Sequence, residues 1–505
     1  MYNIVIFYVT VFIFSICTAV NDYSYLINTT QCTIPNLPAF YHSWNNYTPS
    51  YPISCSSFEP VSYITVERDV VTLHIRTEVI QKQFGNSDDN TCCYSVISRH
   101  GSVDYPDVGY VFSSYCRSFK NSARLYDDTV VVLCHNSTED TTNGYPSNFW
   151  YSNIHQVVRR TPNLVRKAEL LKESSRKKPI SVLIVVIDAV SRLNFIRTMP
   201  KTRDFVTQNG FHEFRGYNKI DDNTFPNAMA FFSGMNQNQS VDICQPWTLD
   251  GLNNCPLIWY DYRDLGYITA YAEDWSDIAT FNYLKKGFKV PPTDYYFKPY
   301  MDSLRFLRTE IQDGMPFCAG PESQGDRMLN LAFDFAKNMK GLPSFGVFWM
   351  NTFSHNVITT PKTMDDKVKQ LFQRLKSVGV LDESVVILIS DHGIRFGEIL
   401  NTTRGYYEVR LPMNYISLPH WFKERYPDET RNFLDNAKVL TSTYDMYMTL
   451  QDLLVLSGTD YKVKSSRACP KCKSIFAKIP NERSCSDAGI SNKWCTCNLD
   501  LDMDK

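Results

Sequence analysis

Residues 181–192 read SVLIVVIDAVSR, and the predicted fold is organised around them. The apolar run Val182–Ile187 is mostly β-branched, which is typical of a strand buried on both faces of a parallel sheet. It ends at Asp188, and open α/β sheets place their ligands at the carboxyl ends of parallel strands. The later segment SVVILISDHG repeats this pattern, with Asp391 and His392 after a second apolar strand. The two strand ends together suggest a metal site.

Strands alternate with helices from Pro179 onward, which predicts an α/β fold with a mostly parallel sheet sandwiched by helices. The predicted strands are Val182–Ile187, Tyr267–Ala272, Phe345–Met350, Val385–Ser390 and Met413–Leu418. The predicted helices are Pro200–Gln208, Thr224–Gly234, Gly325–Lys340, Met364–Val378 and Ser442–Leu456.

This α/β domain is expected to span residues 179–464. Residues 20–178 are rich in Tyr, Ser, Thr and Asn, and predict a disulfide-tied, β-rich N-terminal domain with a connector. The basic stretch Arg166–Lys178 in that connector is expected to be a solvated helix face. Residues 465–505 form a cysteine-rich C-terminal tail with an acidic, frayed end.

The composition excludes some classes of partner. The chain has 505 residues and a formal net charge of −1, so charge gives no case for binding nucleic acid or an anionic membrane surface. No feature of the sequence indicates a specific protein partner.

Three features of the sequence indicate export. Residues 1–19 are apolar and end in small residues, as in a signal peptide, although an uncleaved single-pass membrane anchor remains an alternative. Removing Cys17 from the 15 cysteines leaves an even number, which favours disulfides; for Cys469-x-x-Cys472 and Cys495-x-Cys497 a zinc site is the alternative. Glycosylation sequons lie at Asn28, Asn46, Asn136, Asn238 and Asn401. The expected location is therefore secreted, extracellular or lumenal.

Four side chains are the main candidates for chemistry. Asp188, Asp391 and His392 are suitable ligands for zinc or manganese. Thr224 stands at a predicted helix start, where free N–H groups and the helix dipole favour an alkoxide or an oxyanion. Each has a structural alternative: Asp188 as a helix N-cap, Thr224 as an N-cap with Pro226 in the first turn, and Asp391–His392 as a hydrogen-bonded pair.

Weaker candidates surround these four. His355 follows a predicted strand, in the segment NTFSH that begins at Asn351, and is a metal or phosphate ligand or else a structural histidine. Lys219 and Arg395 can offset the charge of an anionic substrate, although a solvated surface role is the alternative for each.

Several segments resemble the DUF229 family of uncharacterised secreted proteins, which belongs to the alkaline-phosphatase/sulfatase-like superfamily. They are VLIVVIDAVSRLNFIRTMPKT, GYNKIDDNTFPNAMA, YAEDW, ILISDHGIRFGEI, RLPM and the tail SIFAKIPNERSCSDAGISNKWCTC. The resemblance covers about Cys32 to Cys497 and implies an alkaline-phosphatase-like fold.

The resemblance also implies roles for individual residues. NTFPN is similar to the nucleophile motif of the nucleotide pyrophosphatase/phosphodiesterase branch, which makes Thr224 the nucleophile and a metal ligand with Asp188, Asp391 and His392. No C-x-P-x-R sequence is present, so a formylglycine sulfatase is not expected. Asn351 takes the place of an aspartate that would bind a second metal. A one-metal site is therefore expected, similar to lipoteichoic-acid synthases and phosphoethanolamine transferases, with His355 contacting the phosphoryl group.

Two functional hypotheses follow. The first is a secreted hydrolase or phosphotransferase, dependent on one divalent metal, zinc or manganese, with a second metal as a weaker expectation. It acts on a small, glycan-linked or lipid-linked phosphate ester, or less readily a sulfate ester, through Thr224. The second is a catalytically inactive extracellular binding or matrix protein on a degenerate scaffold of the same kind.

Overall fold

The structure is a computed structural model, and it describes residues 25–41, 47–67, 70–84, 90–136, 141–142 and 144–499. The predicted signal segment at residues 1–19, the sequon at Asn46 and the frayed end of the tail lie outside the described residues. Within those ranges, no helix is long and apolar enough to cross a membrane.

The N-terminal part is built from short strands, as predicted. Its elements are β1 (Tyr25–Asn28), β2 (Thr33–Pro35), β3 (Ser62–Glu67), β4 (Val70–Ile75), α1 (Thr77–Phe84), β5 (Asn90–Arg99), β6 (Tyr110–Phe112), β7 (Arg117–Phe119), β8 (Ser122–Leu125), β9 (Thr129–Asn136), β10 (Thr141–Thr142), β11 (Tyr145–Pro146), β12 (Tyr151–Gln156) and α2 (Pro162–Ser174). The largest sheet has the order β12-β9-β5-β6, with β7 also paired to β5. The pairing within it is antiparallel throughout.

Strands and helices alternate along the rest of the chain. The strands are β13 (Ser181–Ile187), β14 (Phe211–Glu213), β15 (Gly216–Asn218), β16 (Ile268–Glu273), β17 (Tyr295–Tyr296), β18 (Thr309–Gln312), β19 (Met315–Ala319), β20 (Glu322–Ser323), β21 (Ser344–Met350), β22 (Ser384–Ile389), β23 (Asn414–Ser417) and β24 (Leu440–Ser442). The helices are α3 (Arg192–Thr198), α4 (Pro200–Gln208), α5 (Thr224–Ser233), α6 (Gln237–Cys244), α7 (Ile258–Leu265), α8 (Lys298–Ser303), α9 (Gln324–Asn338), α10 (Asp365–Ser377), α11 (Thr403–Arg410), α12 (His420–Arg425), α13 (Pro427–Asn436) and α14 (Thr443–Leu456).

The main sheet has seven strands in the order β14-β23-β22-β13-β21-β16-β17. The strands from β22 to β17 are parallel, and β23 is antiparallel to both of its neighbours. The predicted α/β class with a mostly parallel sheet is therefore confirmed, and β13 lies at its centre.

Alternate residues of β13 enter two different cores, because successive side chains of a strand point to opposite faces. Leu183, Val185 and Ile187 pack with apolar residues of α3, α4, α9 and α10. Val182, Ile184 and Val186 pack with those of α5, α7 and α14. Burial on both faces explains why the strand is an unbroken apolar run.

The 14 described cysteines form seven disulfides: Cys32–Cys497, Cys55–Cys318, Cys92–Cys134, Cys93–Cys116, Cys244–Cys255, Cys469–Cys472 and Cys485–Cys495. The tail cysteines are thus paired with one another or with Cys32, which corrects the zinc alternative. The β1–β2 hairpin and the tail share one hydrophobic cluster, so the two ends of the described chain pack together.

The predicted boundary between residues 178 and 179 stays a prediction. Ile97, Val131 and Ile154 of the N-terminal sheet belong to the same hydrophobic cluster as Leu183 of β13. The β-rich part therefore packs directly against one face of the α/β part.

Candidate metal and nucleophile site

Asp188 and Asp391 come together because their strands are neighbours. β13 pairs with β22 in parallel, with Val186 opposite Ile389, so both strands end at the same edge. The turn after β13 is held to the loop after β22, because the Ala189 N–H donates to Asp391 Oδ1 at 3.3 Å. Ala189 has a φ of 58°, a left-handed conformation that costs a non-glycine residue about 1–2 kcal/mol.

His392 faces both carboxylates. Its Nε2 lies 3.2 Å from Asp391 Oδ2 and 3.6 Å from Asp188 Oδ1. Its Nδ1 is 2.8 Å from the carbonyl oxygen of Gly393, which fixes the proton on Nδ1 and leaves the lone pair of Nε2 toward the carboxylates. A Cβ on Gly393 would lie 1.7 Å from the carbonyl oxygen of Glu408, so the backbone can take this path only with glycine.

The electrostatics of this group are unfavourable without a cation. Asp188 Oδ1 and Asp391 Oδ2 are buried and have no hydrogen-bond partner among the described residues. Burial, and then the charge of Asp391, raises the pKa of Asp188 well above its ordinary value. Burial lowers the pKa of His392 to about 4, against the opposing attraction of Asp391. A neutral ring between two carboxylates that each have one unsatisfied oxygen is what a metal ligand set requires.

Thr224 completes the group. It is the first residue of α5, and its Oγ1 lies 3.3 Å from His392 Nε2. The N-cap is Asn223, which makes no side-chain capping bond, so the N-cap hypothesis for Thr224 is wrong by one position. The hydroxyl is therefore not engaged in capping and points at the same place as the carboxylates.

Asn227 holds the loop that presents Thr224, and it was not singled out from the sequence. Its Oδ1 accepts from the Ile220 N–H at 2.9 Å, and its Nδ2 donates to the carbonyl oxygens of Asp221 and Asn223, both at 2.9 Å. The asparagine of NTFPN is thus a positioning residue for the threonine of the same motif.

The donor set fits one divalent cation. Ligand atoms of Asp188, Asp391 and His392 all lie within 4.8 Å of one another, and all three residues are buried. Two carboxylates, an imidazole and a hydroxyl are ligands that zinc and manganese accept. The alternative, in which Asp391 and His392 are only a structural hydrogen-bonded pair, explains less. It leaves Asp188 Oδ1 and Asp391 Oδ2 unsatisfied.

Lys219 and Arg395 lie beside the loop that precedes Thr224. Lys219 Nζ donates to the carbonyl oxygen of Asp222 at 2.9 Å and lies 4.1 Å from the ring centroid of Trp494. Burial lowers the pKa of Lys219 to about 7. Arg395 Nε is 3.9 Å from Asp222 Oδ1, a distance that leaves the guanidinium loosely held.

A third cation, Lys285, was not identified from the sequence. Its Nζ lies 4.3 Å from the ring centroid of Phe225, the residue after Thr224, and donates to the carbonyl oxygen of Tyr283. It has no ion pair among the described residues, and burial lowers its pKa to about 8. Nothing in its local sequence signals the role, because Lys285 comes from a loop far from α5 along the chain.

Asn351 is engaged by another pair of acids. Its Nδ2 donates to Glu273 Oε1 at 3.1 Å, and its N–H donates to Asp274 Oδ1 at 2.7 Å. Burial raises the pKa of Glu273 to about 7 and that of Asp274 to about 6. Both acids stand at the end of β16, so the pattern of an apolar strand followed by Glu-Asp would have identified them.

The contacts of His355 are with other residues than Asp188, Thr224, Asp391 and His392. Its Nδ1 is 2.7 Å from Asn356 Oδ1, and its ring packs on Phe396 at 5.6 Å between centroids. Within the described ranges, neither His355 nor Asn351 makes a hydrogen bond or ion pair with Asp188, Thr224 or the Asp391–His392 pair.

The predicted sequons Asn28, Asn136, Asn238 and Asn401 are all exposed. Their exposure is compatible with glycosylation, which stays a prediction.

Comparison with known proteins places the chain in a family. The family model described as "Protein of unknown function (DUF229)" matches residues 49–505. A search of curated proteins finds no match. Similar solved structures include a protein in the alkaline phosphatase superfamily from Vibrio parahaemolyticus, 14% identical with a TM-score of 0.42 over 65% of this chain and 78% of that one. Others are the lipoteichoic acid synthase LtaP from Listeria monocytogenes (14% identity, TM-score 0.38, 58% and 81% coverage) and a sulfatase from Pseudoalteromonas sp. (14%, 0.38, 66% and 77%). Since the family model spans most of the sequence, the chain belongs to the DUF229 family.

Proposed function

We propose that this protein is a secreted hydrolase or transferase of phosphate esters that depends on one divalent cation and uses Thr224 as its nucleophile. The observation that carries the proposal is the convergence of Thr224 Oγ1 and the two unsatisfied carboxylate oxygens on His392 Nε2. Asp188, Thr224, Asp391 and His392 would hold a zinc or manganese ion. When bound, that ion lowers the pKa of the hydroxyl and neutralises charge that develops on the phosphoryl oxygens.

The chain's own residues then account for the remaining steps. Thr224 loses its proton to solvent, and its Oγ1 attacks phosphorus while the ester oxygen leaves and takes a proton from water. The N–H groups at the start of α5 face the phosphoryl oxygens and stabilise their charge. Water or an acceptor alcohol next attacks the phospho-threonine, which restores the hydroxyl and releases phosphate or a new ester.

Three cations support an anionic substrate. Lys219, Arg395 and Lys285 lie around Asp222 and Phe225, which flank Thr224 in the chain. Arg395 and Lys285 are not closely paired with a carboxylate of the described residues, so their charge is available to a glycan-linked, lipid-linked or small phosphate ester. Lys219 is fully buried and is not at the surface as a solvated charge, so it acts on the substrate through its charge and without direct contact. A phosphate monoester carries up to two negative charges and fits this set best, whereas a phosphate diester and a sulfate ester each carry one.

A single metal is favoured over two because Asn351 stands where an aspartate would bind a second metal. Asn351 offers only a neutral amide oxygen, which binds a cation more weakly than the carboxylate of an aspartate, and its Nδ2 donates to Glu273 Oε1. The seven disulfides fit an oxidising compartment, which supports the proposed secretion.

The direct test is hydrolysis of aryl phosphate mono- and diesters, and of aryl sulfates, by the purified full chain with added Zn²⁺ or Mn²⁺. We expect turnover of a phosphate ester that needs the metal and is lost in Thr224→Ala. If wild type and Thr224→Ala are equally inert toward every ester and no metal copurifies, an inactive binding protein becomes the better account.

A further inference from the structure

A cavity lies at the end of the main sheet where β13 begins, opposite to the end that carries Asp188. Its volume is about 460 Å³, and its walls are formed by the end of α2 and the connector after it, the start of β13 at Ser181, the loop after α9, Glu383 and Arg425. Ser181 is the first residue of β13, whereas Asp188 follows its last. Seven residues of parallel strand span about 23 Å, so this cavity is separate from the candidate metal site.

The cavity concentrates positive charge. Five of its lining residues are cations, Lys172, Arg176, Lys177, Lys178 and Arg425, and one is an acid, Glu383. The whole chain has a formal net charge of −1, so this excess is local. Glu383 is itself occupied, because it accepts from the Gly341 N–H at 3.0 Å and pairs with Lys340.

Three of the five cations have no carboxylate partner among the described residues. Lys178 Nζ lies 4.4 Å from the ring centroid of Trp421, and Lys177 Nζ lies 5.0 Å from that of Tyr426. Stacking on a ring orders the side chain yet leaves ammonium hydrogens free for an anion. Arg425 is the third.

The remaining two cations have only weak partners. Arg176 pairs with Asp460, but the two side chains are 82% and 88% exposed, and Lys172 pairs with Glu169 within α2. Exposed pairs of this kind add little to stability, so both cations can turn to a ligand.

We propose that this cavity binds a polyanionic glycan that carries sulfate or phosphate ester groups. A single sulfate would fill a small part of 460 Å³, whereas cations spread along the wall match several anionic groups on one extended chain. The concave shape does not fit a membrane surface, and none of the lining residues is among the exposed large hydrophobic residues of the described chain. On this proposal the basic connector binds a ligand in addition to forming the solvated helix face expected from its sequence.

Binding of a polyanionic glycan in this cavity does not depend on catalysis, so a binding measurement alone tests it. Calorimetry would measure the affinity of the full chain for a size-defined heparin hexasaccharide over a series of NaCl concentrations. The triple variant Lys177→Gln/Lys178→Gln/Arg425→Gln should bind roughly tenfold more weakly or worse at moderate salt, with a shallower salt dependence.

The matched control is Lys120→Gln/Lys473→Gln/Lys478→Gln, which removes the same charge from exposed lysines outside the cavity. It should bind like wild type. Should the triple variant unfold, Lys177→Gln alone replaces it, with a smaller loss expected. Equal weakening in both triple variants, or no binding by wild type, would overturn the proposal. So would inorganic sulfate binding as tightly as the hexasaccharide, or binding to phosphatidylserine vesicles in place of it.

Discussion

Replacing Asp188 by asparagine should stabilise the metal-free protein. Ligand oxygens of Asp188 and Asp391 lie within 4.8 Å of each other and are buried without partners among the described residues. With both groups ionised, two unit charges at that distance repel by about 3 kcal/mol at an effective dielectric constant of about 20. Protonation of Asp188, whose pKa is raised well above its ordinary value, relieves part of this cost. The asparagine side chain would keep the shape, remove one charge and offer an N–H to the remaining carboxylate, so up to about 3 kcal/mol is recovered.

The size of the chain sets the expected shift in melting temperature. An unfolding entropy of about 2.1 cal/mol/K per residue gives about 1 kcal/mol/K for 505 residues. The metal-free Asp188→Asn variant should therefore melt up to about 3 °C above metal-free wild type. Added Zn²⁺ or Mn²⁺ should raise the melting temperature of wild type by binding the folded state and should leave the variant unchanged.

Scanning calorimetry of chelator-treated protein, before and after metal addition, measures both effects. Asp445→Asn is the control, because Asp445 is also buried but pairs with Arg483 at 2.7 Å. That variant should lose about 3–5 kcal/mol. A fall in melting temperature for Asp188→Asn like that of Asp445→Asn would refute the reasoning, because it would mean that the protein already satisfies the Asp188 carboxylate.

Three further predictions concern the nucleophile, the substrate cations and the backbone of the site. Thr224→Ala should lower turnover of an aryl phosphate ester by roughly 10³-fold or more, while Thr224→Ser keeps part of it; equal rates in wild type and Thr224→Ala would exclude the proposed nucleophile. Lys219 and Lys285 lose their charge as pH rises through about 7 and about 8, so the KM of wild type for an anionic ester should rise from pH 6.5 to pH 9. Lys285→Met should show a higher KM than wild type already at pH 6.5 and a smaller rise of KM up to pH 9. Identical KM profiles for the two proteins would argue against substrate binding by Lys285. Gly393→Ala should cost about 3 kcal/mol or more and abolish metal binding, because the added Cβ would lie 1.7 Å from the Glu408 carbonyl oxygen; unchanged thermal unfolding would contradict that clash.

Much of the fold was predictable because β13 and β22 are buried on both faces. Burial makes each strand a continuous apolar run, and the polar residue that ends the run marks the sheet edge. Asp188 and Asp391 could therefore be placed together from the sequence alone. The antiparallel strand β23 was predicted as a strand, but its direction was not, because a short apolar segment carries no sign of its orientation.

The parts of the site that sequence reasoning missed depend on contacts between distant segments. Lys285 reaches Phe225 from a loop about 60 residues further along the chain, and no local pattern marks such an approach. The partners in the seven disulfides were equally hidden, since pairing of Cys32 with Cys497 depends on how the two ends pack. Glu273 differs from these cases, because it ends an apolar strand as Asp188 does and could have been recognised.

The most direct test of the account is anomalous diffraction at the zinc edge from crystals of the full chain grown with Zn²⁺. We predict one peak among Asp188, Thr224, Asp391 and His392, at about 2.0–2.2 Å from their oxygen and nitrogen ligand atoms. The account would be contradicted if crystals saturated with Zn²⁺ showed no peak at this position. A peak too far from Thr224 Oγ1 for a metal–ligand bond would contradict it as well.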